Sequence, residues 1–375
     1  MRISSNFDSG NIEVVSSQSA SDIQLNIKAD NNSDFYQWFH YKMESTAGEE
    51  HKFRILNAKQ AAYPEGWEDY QAMASYDRET WFRIDTEYAD GELVFSHIPE
   101  FDHVFYAYFV PYSYERHLDL IHKSQLMPET QLITLGETLD GRDMSVLQIG
   151  QPSDGKMNVW ITARQHPGET MAEWYVEGLL DRLFDHDDAV SRLLMKKAVF
   201  YVVPNMNPDG AARGHLRTNA NGANLNREWL EPSMNNSPEV FLVREKMLET
   251  GVDMYLDIHG DEAIPYNFVA GCEGIKSYDQ RHQSLENSFK AAYASATPEF
   301  QDTHGYPKDE AGKANPTVAA AWVGEQFKCL SYTVEMPFKD HNDAPDAFYG
   351  WNDVRSAKFG ADVLTAVLAV VDTLR

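Results

Sequence analysis

Cysteine is scarce in this chain. Only two cysteines, Cys272 and Cys329, occur among 375 residues, so no disulfide framework is available and we expect two buried packing thiols in a reducing compartment. The amino terminus, MRISSNFDSG, lacks the apolar segment of a secretory signal. The pattern therefore predicts a cytoplasmic protein, although a periplasmic protein supplied without its signal would give the same pattern.

Positive charge is also in short supply. The chain has 32 lysines and arginines against 58 aspartates and glutamates, which gives a formal net charge of −26. A field of this sign repels nucleic acid and anionic membrane surfaces. No apolar run approaches the length needed to span a bilayer. We therefore expect neither nucleic acid nor a membrane as a partner. The sequence does not indicate how many subunits assemble.

The character of the sequence changes near residue 115. A chain of 375 residues exceeds the usual size of one hydrophobic core, so two domains are expected. From residue 10 to about 111, short alternating runs are separated by Asp, Asn, Gly, Pro and Ser. This pattern predicts that residues 1–115 form an antiparallel β-sandwich. Its many aromatic residues are interpreted as core and rim rather than as a ligand site.

Residues 116–375 show a different pattern, in which apolar runs alternate with segments of helical periodicity. The segment LITLGETLDGRDMSVLQIG predicts a hairpin because a turn interrupts two strands. The compact runs are typical of interior strands: MNVWITA, AVFYVVPN, MYLDIH and CLSYTVEM. The sequence therefore predicts an α/β/α domain with a mixed, mainly parallel sheet.

Polar residues follow these interior strands at their carboxyl ends. In an open α/β sheet the ligand site lies outside those ends, because the loops diverge there and helix N-termini point inward. MNVWITA leads to His166 and Glu169, MYLDIH ends on His259, and CLSYTVEM leads to Glu335. AVFYVVPN leads to the polar loop RGHLRTNANGANLNREW. We therefore expect one site at this rim.

The segment HPGE indicates part of a metal centre. A Pro-Gly turn between His166 and Glu169 lets an imidazole and a carboxylate face the same point. Catalytic zinc takes three protein ligands, often two histidines and one carboxylate, and keeps a fourth position open. His259 supplies the third ligand from another strand. The hypothesis is one Zn²⁺ per chain, although such ligands also accept other divalent metals.

Four further residues supply the remaining chemistry of a hydrolase. Glu335 ends an otherwise apolar strand, where a carboxylate either faces the rim or is a costly buried charge, so it is the candidate general base. Arg227 and the adjacent Asn226 suit a substrate carboxylate. Arg217 is predicted to stabilise the oxyanion formed when water attacks a carbonyl.

Five ordered blocks give the sequence a resemblance to a known family. The blocks are HPGE, NPDG, RTNANGANLNREW, DIHG and YTVEMP. Together they resemble the zinc metallocarboxypeptidases over most of residues 120–375. The N-terminal sandwich, with NFDSGNIEVV and YAYFVPYSY, is similar to the cytosolic carboxypeptidase subfamily, some members of which shorten polyglutamate tails.

The resemblance implies a peptidase that removes C-terminal residues from peptides or protein tails, with acidic Glu tails as one candidate. It implies the same roles for the seven residues already named: zinc ligands His166, Glu169 and His259, carbonyl-polarising Arg217, carboxylate-binding Asn226 and Arg227, and the base Glu335.

The sequence departs from the family pattern at two places. Asn224 stands where the family often has an acidic partner of a zinc histidine, which predicts weaker zinc affinity. The loop before the base strand offers only Tyr306, at no matching motif, so no role follows for it. Lys308 and Lys313 in this loop are the candidate cations for an acidic terminal side chain.

Two alternative functions remain open. An aspartoacylase-like zinc amidohydrolase shares the zinc pattern and the arginine-bearing loop but acts on small N-acyl amino acids. The sandwich before the catalytic domain, and the absence of a further domain after the final helix, favour the peptidase. The second alternative is a non-catalytic zinc-containing module that binds a protein, and the base candidate Glu335 argues against it. No GxSxG elbow or phosphate loop occurs.

Overall fold

The amino-terminal part of the chain folds into two five-stranded sheets. The structure is a computed structural model that describes residues 1–375. Its first ten strands are β1 (Arg2–Ser4), β2 (Glu13–Ser19), β3 (Asp22–Asn26), β4 (His40–Glu44), β5 (His51–Ile55), β6 (Ala72–Ser75), β7 (Phe82–Ile84), β8 (Thr86–Ala89), β9 (Glu92–His97) and β10 (His103–Ala107). One sheet has the order β1-β4-β10-β6-β7 and the other β2-β3-β5-β9-β8. All strand pairs are antiparallel except β3 with β5.

The two sheets pack face to face through aromatic side chains. Alternation in β5 buries Phe53 and Ile55 while Lys52 stays exposed, as expected of a strand with one face in a core. The Phe53 ring lies 4.8 Å from the ring of Tyr106 in the opposite sheet and 5.9 Å from that of Tyr41. The β-sandwich architecture predicted from the sequence is confirmed, with one parallel pair that alternation alone did not reveal.

The remainder of the chain forms a seven-stranded sheet covered by helices. Its strands are β11 (Thr130–Glu137), β12 (Asp143–Ile149), β13 (Met157–Ala163), β14 (Ala198–Val203), β15 (Met254–Ile258), β16 (Phe268–Ala270) and β17 (Leu330–Glu335). The helices are α1 (Tyr114–Ser124), α2 (Met171–Leu183), α3 (Ala189–Lys197), α4 (Pro208–Arg213), α5 (Pro238–Thr250), α6 (Gln280–Ala296), α7 (Ala319–Phe327) and α8 (Asp353–Val370). No helix is both long and apolar enough to serve as a membrane span.

The sheet is mixed, with a parallel centre. Its order is β11-β12-β14-β13-β15-β17-β16, and β14, β13, β15 and β17 run parallel to one another. The hairpin β11-β12 and strand β16 add antiparallel pairs. The predicted α/β/α domain with a mixed, mainly parallel sheet is therefore confirmed.

Helices cover both faces of this sheet. Alternate residues of a strand therefore pack into two hydrophobic clusters, one on each face. Val159 and Ile161 belong to the hydrophobic cluster that contains residues of α2, α6 and α8. Trp160, between them, belongs to a second cluster with residues of α5 and α7. Because both faces are covered, β14, β15 and β17 are buried along their whole length.

The sandwich and the α/β part share one continuous interface. The larger hydrophobic cluster contains residues from both, and buried Arg83 on β7 donates hydrogen bonds to the carbonyls of Phe338 and Trp351, both at 2.8 Å. The division at residue 115 stays a prediction. Helix α1, which begins at Tyr114, crosses that boundary. Both cysteines are buried and unpaired, as predicted.

Candidate metal and substrate site

Four polar side chains meet at the carboxyl edge of the parallel strands. His166 follows β13, Glu169 precedes α2, His259 comes directly after β15, and Glu335 is the last residue of β17. The strands are hydrogen-bonded neighbours in the order β13-β15-β17, so their ends lie side by side. The convergence that the sequence predicted is present in the structure.

The turn that carries His166 and Glu169 is fixed by buried contacts. Arg164 adopts a left-handed backbone conformation, φ 58°, and its guanidinium donates to the Pro167 carbonyl at 2.9 Å and to Glu173 Oε2 at 2.7 Å. Gly168 donates its N–H to the Leu216 carbonyl at 2.8 Å, and a Cβ on this glycine would lie 3.0 Å from the same oxygen. The Pro-Gly pair therefore allows the close approach of the Leu216 segment.

The predicted ligand set forms a compact buried cluster. Glu169 Oε1 lies 2.6 Å from His166 Nδ1, and Glu169 Oε2 lies 2.8 Å from His259 Nδ1. The two Nδ1 atoms are 3.2 Å apart. One ligand atom from each of the three residues lies within 4.8 Å of the others. The structure therefore brings all three predicted ligands to one point.

Burial and the charges of neighbouring groups shift the pKa values of these three residues. Burial lowers the pKa of His166 to about 4. Burial also opposes charge on His259, but the carboxylates of Asp257 and Glu169 outweigh it and raise the pKa of this imidazole well above its ordinary value. Burial would raise the pKa of Glu169, yet the two imidazoles hold it well below the usual range. These directions favour the ionised form of Glu169, which is the form that ligates a metal.

The outer nitrogen of each histidine has its own partner. His259 Nε2 lies 2.8 Å from Asp257 Oδ2, and His166 Nε2 lies 3.1 Å from Asn224 Oδ1. Both contacts orient Nδ1 toward the shared point, as partners of metal-binding histidines do. Asp257 was missed in the sequence, although a strand residue two positions before His259 is expected on the same face.

The donor set fits a zinc ion. Two imidazole nitrogens and one carboxylate on the side of an open cavity are the ligands of a catalytic zinc site, in which the fourth position takes water or substrate. Glu335 Oε2 is buried nearby and has no hydrogen-bond donor. An unpaired buried acceptor is satisfied if a water molecule occupies that fourth position.

Glu335 and Tyr306 form a second pair at the rim. Burial raises the pKa of Glu335 well above its ordinary value. The carboxylates of Glu169 and Asp261 raise this pKa further, whereas His259 lowers it. The Tyr306 hydroxyl lies 3.1 Å from Glu335 Oε1 and donates to Asp261 Oδ2 at 2.6 Å. The structure thus brings Tyr306 to the site, which the sequence could not indicate because its loop carries no recognisable motif.

The two arginines lie on the cavity wall without carboxylate partners. The Arg217 guanidinium lies 5.6 Å from the Phe35 ring and 5.5 Å from the Tyr63 ring. Arg227 donates to the Asn226 carbonyl at 2.6 Å. Asn226 accepts the Ala319 N–H at 2.8 Å through its side-chain oxygen, and its Nδ2 lies 3.5 Å from His259 Nε2. No salt bridge engages either arginine, so both remain able to bind an anion.

One cavity of about 730 Å³ contains all seven predicted site residues. It is also lined by Glu262. Burial and the nearby carboxylate of Glu169 raise the pKa of Glu262 well above the ordinary range, although Arg217 lowers it. Glu262 was not predicted from the sequence, since an acidic residue in a loop gives no signal of burial.

The two lysines expected to recognise an acidic side chain are not free for this role in the cavity. Lys308 lines the cavity but forms an ion pair with Glu273 at 2.7 Å. Lys313 is exposed and is not among the lining residues.

Comparison with known proteins agrees with this geometry. Residues 119–351 match the zinc carboxypeptidase family, and residues 3–109 match the cytosolic carboxypeptidase N-terminal domain. An uncharacterised protein of Zymomonas mobilis is 47% identical over 374 residues, which cover 100% of this chain and 97% of that protein. Human cytosolic carboxypeptidase 4 is 28% identical over 325 residues, 72% of this chain but only 29% of that protein.

A solved structure extends the similarity to the whole chain. A metallo-carboxypeptidase from Pseudomonas aeruginosa, in complex with (2-guanidinoethylmercapto)succinic acid, superposes with a TM-score of 0.98 and 46% identity, and covers 100% of both chains. With the two matched domains and this fold, the chain belongs to the zinc carboxypeptidase family, as a metallocarboxypeptidase with a cytosolic carboxypeptidase N-terminal domain.

Proposed function

We propose that this enzyme hydrolyses the last peptide bond of peptides or protein tails that end in a free carboxylate. The observation that carries the proposal is the common cavity of the metal-ligand cluster, Glu335 and two arginines without carboxylate partners. A single zinc ion held by His166, Glu169 and His259 would supply Lewis acidity at the scissile carbonyl and to water. The low cysteine content supports a cytoplasmic location. The net charge of −26 disfavours nucleic acid and anionic membranes as partners.

Arg227 and Asn226 bind the terminal carboxylate of the substrate. A guanidinium presents parallel donors that match a carboxylate, and a neighbouring amide adds a further donor. Asn226 is held in place by the Ala319 N–H.

Glu335 accepts the proton of the attacking water and delivers it to the leaving amine. Its buried carboxylate has a raised pKa, which favours proton capture and release within one cycle. The Tyr306 hydroxyl lies 3.1 Å from Oε1 of this carboxylate, and Oε2 has no donor.

Arg217 stabilises the negative charge that develops on the carbonyl oxygen. Its guanidinium rests against Phe35 and Tyr63, so it is positioned before substrate binds, which is the condition for effective electrostatic stabilisation. Glutamate-rich tails remain a candidate substrate, but the lysine expected to recognise them, Lys308, is already paired with Glu273.

Product analysis by mass spectrometry tests this function. The zinc-loaded protein is incubated with peptides ending in Glu, Asp, Lys, Leu or Phe, with their C-terminally amidated twins, and with N-acetylated amino acids. We expect loss of single residues from the free-acid peptides only. Cleavage of the N-acetylated amino acids instead would support an aspartoacylase-like amidohydrolase, and no product from any compound would support a non-catalytic protein-binding module.

A further inference from the structure

The sandwich contributes part of the wall of the active-site cavity. Tyr63 and Glu65 line this cavity together with the metal ligands and both arginines. Tyr63 precedes the short 3-10 helix Pro64–Trp67, and Glu65 belongs to it. The fully buried Gln37 fixes the segment, because its Oε1 accepts the Tyr63 N–H at 2.8 Å and its Nε2 donates to the Tyr63 carbonyl at 3.0 Å. This part of the wall is therefore in place before substrate binds.

Glu262, from the loop after β15, meets the sandwich at this wall. A Cβ atom placed on Gly66 would lie 2.9 Å from Cβ of Glu262 and 3.1 Å from its carbonyl oxygen. The glycine therefore allows the 3-10 helix to rest directly on Glu262. Because Glu65 is the residue before Gly66 and also lines the cavity, the contact brings a carboxylate from each part of the chain to the same wall.

Neither of these carboxylates has a partner in another residue. Glu262 is only 6% exposed, yet it lines the cavity. Its own backbone N–H is the only hydrogen-bond donor that acts on its carboxyl group, and Arg217 lowers its pKa without forming a salt bridge. Glu65 is exposed, and its carboxylate likewise has no salt bridge. Buried carboxyl groups are normally paired, so a cation of the substrate would supply the partner that Glu262 lacks.

This wall adjoins the position of the residue before the scissile bond. The guanidinium of Arg217, which acts on the scissile carbonyl, lies 5.5 Å from the Tyr63 ring. The charged groups that act most on Glu262 include Arg217 and the metal ligand Glu169. The scissile carbonyl belongs to the penultimate residue of the substrate, whereas Arg227 binds the carboxylate on the other side of the scissile bond. The penultimate side chain is therefore the part of the substrate that this wall meets.

We propose that Tyr63, Glu65 and Glu262 form a subsite, shared between the sandwich and the catalytic part, that selects lysine or arginine as the penultimate residue of the substrate. The inference rests on the proposed carboxypeptidase function. The ammonium or guanidinium group donates to the two carboxylates, while the methylene groups of the same side chain pack against the Tyr63 ring. A glutamate-rich tail places a further carboxylate at this position and is therefore disfavoured.

The test compares kcat/KM for peptides that share the terminal residue preferred in the product analysis and differ only in the residue before it: lysine, arginine, norleucine or glutamate. Norleucine has the lysine chain without the ammonium group, so the lysine-to-norleucine ratio isolates the contribution of the charge. The ratio is measured for the wild-type enzyme, for Glu262→Gln and for Glu65→Gln. Glu68→Gln, at an exposed position outside the cavity, is the matched control for loss of one carboxylate. A peptide with the lysine moved two residues upstream controls for attraction by the net negative charge of the protein.

We expect a wild-type ratio of about tenfold, as for one charge-assisted hydrogen bond in a buried site. The ratio should fall about fivefold in Glu262→Gln, fall less in Glu65→Gln because an exposed charge is screened, and stay unchanged in Glu68→Gln.

The thermal unfolding temperature and zinc content show whether a variant is folded, and if Glu262→Gln fails to fold, Glu65→Gln decides. Three results would overturn the subsite while leaving the peptidase intact: a wild-type preference for norleucine or glutamate, an equal preference for the lysine placed upstream, or an unchanged ratio in the folded subsite variants. Cleavage of none of the four peptides by the wild-type enzyme would overturn the proposed function and the subsite with it.

Discussion

Asp30, in the sandwich, holds the backbone of Arg217 in the catalytic part of the chain. One carboxylate oxygen of Asp30 accepts the N–H of Arg217 at 2.8 Å and that of Thr218 at 2.9 Å, and the other accepts the N–H of Leu216 at 2.7 Å. The rings of Phe35 and Tyr63, from the same domain, contact the guanidinium. The sandwich therefore supports the loop that carries Arg217.

Removal of this support should weaken substrate turnover. In Asp30→Ala three backbone N–H groups lose their acceptor, and a buried one costs about 1–3 kcal/mol if left unpaired, so the loop shifts to recover hydrogen bonds. We expect kcat/KM for a free-acid peptide to fall about tenfold or more while zinc stoichiometry stays at one per chain. The exposed neighbour Asp34 provides the control, Asp34→Ala, and equal kinetics in the two variants would contradict the supporting role.

Replacement of the candidate base should separate chemistry from metal binding. Glu335→Gln keeps the size of the side chain but cannot accept a proton, and general base catalysis typically contributes 10²- to 10⁴-fold. We expect kcat to fall by roughly that factor, with KM and zinc content near their wild-type values. Retained turnover in a zinc-loaded variant would remove Glu335 from the mechanism.

The partners of the two histidines should tune metal affinity in opposite directions. Asp257→Asn removes the charge that faces His259 Nε2 at 2.8 Å, and loss of such a partner typically weakens metal binding 10- to 100-fold. Asn224→Asp adds a charge next to His166 Nε2 and should tighten zinc binding. Competition with a chelator measures both dissociation constants. No gain in the Asn224 variant would argue against this assignment.

Buried Glu239 should make stability depend on pH. Burial raises the pKa of Glu239 to about 8 from an ordinary value of 4.5, and its carboxylate accepts the Asn219 side chain at 3.2 Å. The folded state therefore binds the proton more tightly than the unfolded state between pH 4.5 and 8. The free energy of unfolding falls as the pH rises through that window, by at most roughly 5 kcal/mol.

Urea unfolding at pH 5 and pH 9 measures this effect. Glu239→Gln should lose the decline, so that its stability relative to wild type improves at pH 9 compared with pH 5. Glu245→Gln, an exposed position on the same helix, controls for the loss of one negative charge. Parallel pH dependence in wild type and Glu239→Gln would rule out the buried carboxylate as the cause.

The sequence predicted those parts of the site that local patterns encode. Apolar runs located the parallel strands, and residues at their ends, such as His166 and His259, were predicted to converge because strand direction alone determines where those ends lie. Tyr306 was not assigned, since its distance to Glu335 depends on how a long loop folds over the cavity. Asp30 was missed for the same reason. Its partners are distant in the chain, and one sequence records no contact between them.

The most direct test of the account compares kcat/KM for a free-acid peptide with that for its C-terminally amidated twin, in wild type and in Arg227→Ala. Amidation removes the negative charge that Arg227 and Asn226 are proposed to bind. We predict that the wild-type enzyme prefers the free acid by at least about a hundredfold and that Arg227→Ala loses most of this preference. Equal cleavage of the two peptides by the wild-type enzyme would contradict the proposal that this site recognises a terminal carboxylate.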